Sequence, residues 1–358
     1  MNLEYRPDFE ATRERWDAFW AGTLGRPALH VRAPKQAGRP VVSADYRRLR
    51  YRFGHEGTVD EWLDFHEEFL DNTLLFGEAL PAVGLSFAPD HFSALLGADI
   101  ALHPDQFDAW VEPFVKEWDD TEIALQKKGY WWDRTMTFMQ GFKERFTGRA
   151  LLVPPHIQGG LDCLSAIRGN QELLLDLMDA PEKVEAALQQ VNRAIRELQA
   201  FYIEACDVAT WGSINRHRFY YAQGLIDVPQ CDFSCMISPE MFQRFQLPAL
   251  REECRQLGPA VYHLDGPGAL PHLEVLCGLP EIEVIQWQPG AAGQDQDWRD
   301  LYRTIDRLGK GLMLSGERGY AVGRELWPEL QSPYMLIAVD CDSADNAKRI
   351  LDEFGAAG

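Results

Sequence analysis

The densest chemistry in this chain lies in one short run, Tyr262-His263-Leu264-Asp265-Gly266-Pro267-Gly268. It closes an apolar stretch, 259–266, rich in strand formers. Side chains alternate along a strand, so His263 and Asp265 share a face. An imidazole and a carboxylate so placed can hold a divalent cation or work as an acid/base pair. They can equally form a buried structural pair. The Gly-Pro-Gly that follows suits a sharp turn where backbone approaches a ligand. A second candidate, Cys341, stands at the end of the last apolar run, in Val339-Asp340-Cys341-Asp342-Ser343. A lone Cys there is ordinarily a small buried residue. It gains weight because the sixth and eighth strands of a barrel would carry it toward His263 and Asp265.

A third feature is Gln230-Cys231-Asp232-Phe233-Ser234-Cys235. Asp232 at a strand end could act as acid/base or orient a substrate. Cys231 and Cys235 have no partner Cys pair and are weak zinc evidence. Ser238-Pro239-Glu240 opens a helix, with Ser as N-cap and Pro in the first turn. Further catalytic candidates are His156, with Asp162 close behind it, and Glu317. Tyr262, Trp211, Gln286 and Trp287 are candidates for substrate contact; aromatics at a barrel mouth can stack on a flat ligand, or simply belong to the core. Arg39 follows the first strand candidate and could clamp a substrate carboxylate.

These residues need a scaffold that brings strand ends together, and the second half of the chain supplies its pattern. Strand-like runs at 259–266, 282–290, 311–317 and 334–342 alternate with helical stretches at 269–276, 298–308, 322–330 and 344–354. That spacing indicates βαβ units and a parallel sheet. The first half is less regular. Helices are expected at 9–20, 61–76, 120–147 and 181–206, and strands at 28–31, 81–87, 150–155, 208–214 and 228–234. The strand candidates exceed the eight places of a barrel by one, so one is accessory. The polar residues fall at the C-terminal end of each run, where (β/α)8 barrels build active sites. No Gly-rich dinucleotide or phosphate loop is present, which favours an α/β (β/α)8 TIM barrel over a doubly wound sheet. One domain, 1–358, is expected, with residues 1–80 as a helical N-terminal extension plus the first strand.

The net charge of -20 repels phosphate backbones and argues against nucleic acid. No apolar run is long enough to span a membrane, and the polar N-terminus is no signal peptide. Seven Cys, an odd number at low density, fit free thiols in a reducing cytoplasm.

The order of elements, the run ISPEMFQRFQLPAL (237–250) and the strand ending His263-Leu264-Asp265-Gly266 resemble the uroporphyrinogen decarboxylase superfamily. The resemblance covers about residue 150 to the end. Residues 14–34, ERWDAFWAGTLGRPALHVRAP, are similar to uncharacterised members. The superfamily's cobalamin-linked methyltransferases carry zinc on a His-x-Cys pair and a Cys after the last strand. His263 matches that His, Asp265 stands in place of the first Cys, and Cys341 falls where the last is expected. The resemblance therefore implies zinc or another divalent metal on His263, Asp265 and Cys341. The decarboxylases carry Arg-Gln-Ala-Gly-Arg near the N-terminus; here the run is Lys35-Gln36-Ala37-Gly38-Arg39, followed by Pro40-Val41-Val42-Ser43 in place of Tyr-Leu-Pro-Glu-Tyr. No Asp-x-His-x-x-Gly cobalamin-binding segment occurs, so a corrinoid would arrive on a separate protein.

The resulting expectation is metal-assisted methyl transfer to or from a corrinoid carried by a partner protein. One alternative is a cofactor-free decarboxylase or lyase, with Asp232 and Arg39 handling a carboxylated substrate. The other is a silent barrel that binds a ligand without turnover. Partners expected are a small-molecule substrate, a corrinoid protein and a second copy of the chain.

Overall fold

A computed structural model of the chain describes residues 1–36, 38–41, 46–103 and 108–356. Ala37, Val42 and Ser43 of the decarboxylase-like stretch lie outside the described residues.

The main sheet has six strands: β1 (Ala28–Pro34), β2 (Thr73–Gly77), β3 (Ala260–Asp265), β4 (Ile282–Gln288), β5 (Gly311–Ser315) and β6 (Met335–Asp340). Their order is β2-β1-β6-β5-β4-β3. All neighbours run parallel except β2, which is antiparallel to β1. Helices follow β3 through β6, so the alternation legible in the second half is present in the fold. In the first half the outcome differs. The expected helix at 61–76 is Val59–Asp71, opened by a Thr58–Glu61 capping box, and its last residues become β2. The stretch 208–214 splits into the helical turn Val208–Trp211 and the two-residue strand Ser213–Ile214. The stretch 228–234 gives a single bridge from Gln230 to His263 and then a 3-10 turn. Ala82–Val83 pairs in parallel with Leu151–Leu152. Pro81, Pro154 and Pro155 flank these short pairs, and proline cannot donate to a ladder.

An eight-stranded closed ring is the expectation; the observed architecture is a mixed α/β fold around a largely parallel sheet. Its inner face nevertheless joins the five mutually parallel strands of the main sheet and short strand segments from the first half into one buried cluster. Ala28, Ala82, Leu151, Ile214, Val228, Val261, Val284, Met313 and Leu336 all belong to it, closed on one side by Phe9, Trp16 and Phe19 of the first helix. The other faces of β3 to β6 pack on the helices, through Tyr262, Ile285, Leu314 and Ile337.

The first helix, Phe9–Trp20, is held by a buried carboxylate. Glu78 is fully buried and accepts from the Leu29 backbone N–H (2.7 Å), Arg26 (2.7 Å) and Arg15 (2.9 Å). A charge so placed persists only because its acceptor sites are filled. Among the described residues no helix is long and apolar enough to cross a membrane. All seven cysteines are free.

Candidate functional site

Period two along β3 decides which side chains can react. Val261 enters the inner cluster, so His263 and Asp265 emerge from the same face above it. Gly266, at φ 78, ends the strand where a residue with a Cβ would be strained. On β4, Gln286 stands in register beside His263. Its Oε1 lies 3.0 Å from His263 Nδ1. With Nδ1–H donating to that oxygen, the Nε2 lone pair is directed away from Gln286; Nε2 lies 3.9 Å from Asp265 Oδ2.

Asp232 completes the group. One ligand atom each from Asp232, His263 and Asp265 lies within 4.8 Å of the others. Asp232 is placed by Asp162, a buried carboxylate on the helix Gly160–Arg168. Asp162 accepts the backbone N–H of Asp232 (2.9 Å) and of Phe233 (2.8 Å), which fixes the turn after Gln230. Gln230 Nε2 donates to Asp232 at 3.0 Å. Part of Asp232 meets solvent, yet its carboxyl is pushed up to about 6. Burial is the first cause; Asp162 and Asp265 add to it, while His263 and Arg216 oppose it. The local excess of negative charge is the kind a bound cation offsets.

The donor set, one imidazole and two carboxylates, suits a borderline or hard divalent ion such as zinc, iron or manganese. Gln286 holds the imidazole as second-sphere partners of metal-bound histidines do. The residues therefore fit a metal, though with Asp232 in the place expected of Cys341.

Cys341 does not join this group. On β6, Leu336 and Ala338 face the inner cluster, while Ile337 and Val339 face the helices. The same alternation turns Cys341 toward the helix side, half-buried against the larger core. Asp340 takes the inward place and pairs with Arg32 at 2.6 Å. The Cys341 thiol is pushed up to about 11 by burial and by Asp340 and Asp342. Cys341, Glu317 and Arg39 line a separate cavity of about 660 Å³. Glu317 sits exposed in the first turn of the helix Gly316–Leu326, and Arg39 pairs with Glu68 at 2.7 Å.

The aromatic candidates divide by the same parity. Tyr262 and Trp287 point into the helix-side core, Trp287 against Trp298. Trp211 precedes its strand and packs on Phe9, away from the strand ends. Gln286, by contrast, lines the cavity at His263. His156 lies next to Arg216, whose guanidinium contacts the ring. Burial first, then the Arg216 charge, holds His156 well below the usual histidine range, so it is neutral.

That cavity, about 380 Å³, brings in basic residues that were not among the expected site residues. Arg216, His217 and Arg218 line it from the turn between two short strands, Ser213–Ile214 and Tyr221–Ala222. Asn215 Oδ1 accepts from the backbone of Phe219 (3.0 Å) and Tyr220 (3.3 Å) and locks the turn, with Arg218 in the left-handed region at φ 64. Three basic residues in succession, after a strand candidate in so acidic a chain, were the available signal.

No protein-family model and no curated protein matches the chain. Solved structures do. It is similar to a methyltransferase from Methanosarcina mazei, at 13% identity and TM-score 0.60, over 96% of this chain and 98% of that one. It also aligns, at 10% identity and TM-score 0.44 over 92% and 94%, with a B12-independent methionine synthase from Shewanella sp. W3-18-1 solved with selenomethionine. The first likeness is one of fold; the second is too loose to argue from.

Proposed function

We propose that this chain is a metal-assisted methyl-transferring enzyme on a uroporphyrinogen decarboxylase-like barrel. The observation that carries the reading is the Asp232–His263–Asp265 group over the inner face of the sheet, with Gln286 fixing the imidazole. A divalent ion held there would polarise the heteroatom that gives up or accepts the methyl group. Asp162 positions Asp232, and Gln286 positions His263. The single inner cluster, drawing on strand segments along the whole chain, supports a barrel. The fold shared with the Methanosarcina mazei methyltransferase is consistent with this chemistry. A corrinoid, where one is used, comes on a partner protein.

A second reading has its own support. A carboxyl raised to about 6 beside Arg216 resembles the acid and the anion clamp of a cofactor-free decarboxylase. Arg216 takes the role expected of Arg39, which lies in the other cavity.

One experiment separates the two. Metal-loaded and chelator-stripped protein are assayed for methyl exchange between methylcobalamin and thiol acceptors, and for carbon dioxide release from aromatic and aliphatic carboxylates. Methyl exchange lost on stripping and restored by a divalent ion is the expected result. Carbon dioxide release unaffected by chelator would replace the first reading with the second.

A further inference from the structure

The geometry points to an oxyanion seat beside the candidate metal group: Arg216, with Arg218 and His217, receives the anionic end of a ligand whose apolar body lies against Phe65, Phe69 and Phe219. The chain carries 55 acidic and 35 basic residues, yet no carboxylate lines this cavity among the described residues. Arg32 on its wall is already matched by Asp340 through two hydrogen bonds, 2.6 and 2.8 Å. Arg216 differs. Its hydrogen-bond partners are His156, Gln230 and His217, all of them neutral groups. Among the described residues it has no ion pair. Asp162, Asp227, Asp232 and Glu253 lie around it, but among the described residues none of these carboxylates hydrogen-bonds or ion-pairs with the guanidinium. A guanidinium held by three neutral partners and paired directly with no carboxylate among the described residues is prepared for an external anion.

The neighbours sharpen the shape of that ligand. The His217 and His66 rings each leave Nδ1 buried without a partner. His66 spends Nε2 on the Gly84 carbonyl at 2.9 Å. Phe65, Phe69 and Phe219 line the same cavity. About 380 Å³ suits one small molecule. The chemistry is thus a compact oxyanion, carboxylate or phosphate, on a flat apolar body. His263 lines the same cavity, so the far end of such a ligand meets the candidate metal group. Only that last step rests on the function proposed above; the seat itself does not.

The test uses the full-length, chelator-stripped protein, titrated calorimetrically with benzoate, phenyl phosphate and neutral benzamide. At least one anion should bind about tenfold or more tightly than benzamide, and the tighter of the two identifies the oxyanion. Arg216→Gln should remove about tenfold or more of that preference, Arg216→Lys should retain part of it, and Arg218→Gln should weaken it. Equal binding of all three probes, no binding of any, or a preference intact in Arg216→Gln overturns the seat. The unaltered protein's own discrimination decides the matter if the Arg216 variants do not fold. A protein that never takes metal but prefers anions contradicts the metal reading alone; one that takes metal and ignores the charge contradicts the seat alone.

Discussion

His263 and Asp265 share one face because they stand two residues apart in a strand that ends at Gly266, a spacing visible in the sequence itself. Cys341 was placed by its position after the last strand, without regard to which face that position takes. The strand stops at Asp340, and parity gives the inward place to Asp340. Asp232 was found as an acid/base candidate, but its company with His263 needed the tertiary fold. Arg216 left only a faint signal, a basic run in a hairpin turn that is ordinarily solvated, and packing alone shows it among His156, His217 and Gln230. Two predictions belong here. Gln286→Leu should weaken metal affinity by about 10–100-fold, measured by competition with a chromogenic chelator, because Nδ1 loses the partner that fixes its tautomer. Unchanged affinity would remove Gln286 from the site. Glu253 gives a test by pH. Burial first, then Asp227, pushes its carboxyl up to about 8, while Arg216 pulls it down. The folded state therefore keeps a proton that the unfolded chain releases near its ordinary value. Glu253 costs no stability below about pH 4, and costs increasingly more as pH rises toward 8. Glu253→Gln should be more stable than the parent by an amount on the order of a few kcal/mol near pH 8 and indistinguishable near pH 4.5, by denaturant titration. A difference that does not change with pH contradicts this.

At the scale of elements, β3 to β6 and their helices were readable because continuous apolar runs alternate with amphipathic ones. The first half was less so. Strands of two residues, bounded by Pro81, Pro154 and Gly212, leave too short a pattern to separate from loop. The end of the helix at Asp71 was missed because Thr73–Gly77 is apolar enough to continue it, and only pairing with β1 makes it a strand. Glu78, the residue that ties the first helix to that ladder, carries no local signal of burial. Glu78→Gln should destabilise the protein by about 3 kcal/mol, because Arg15 and Arg26 would keep charges next to a buried neutral group. Denaturant midpoints would show it; a change within about 0.5 kcal/mol would mean that water or rearrangement replaces the carboxylate.

The whole molecule sets a strongly acidic surface around a cavity lined by arginine and histidine, with a carboxylate–imidazole group at its edge. Net charge argued against nucleic acid as a partner. It said nothing of a cleft where basic groups are concentrated, because net charge carries no position. The most direct measurement of the central claim is metal content after reconstitution, by elemental analysis, for the parent, His263→Ala and Cys341→Ala. One equivalent of a divalent metal in the parent and in Cys341→Ala, lost in His263→Ala, is the predicted result. No stoichiometric metal in the parent, or metal that survives in His263→Ala and vanishes in Cys341→Ala, would contradict it.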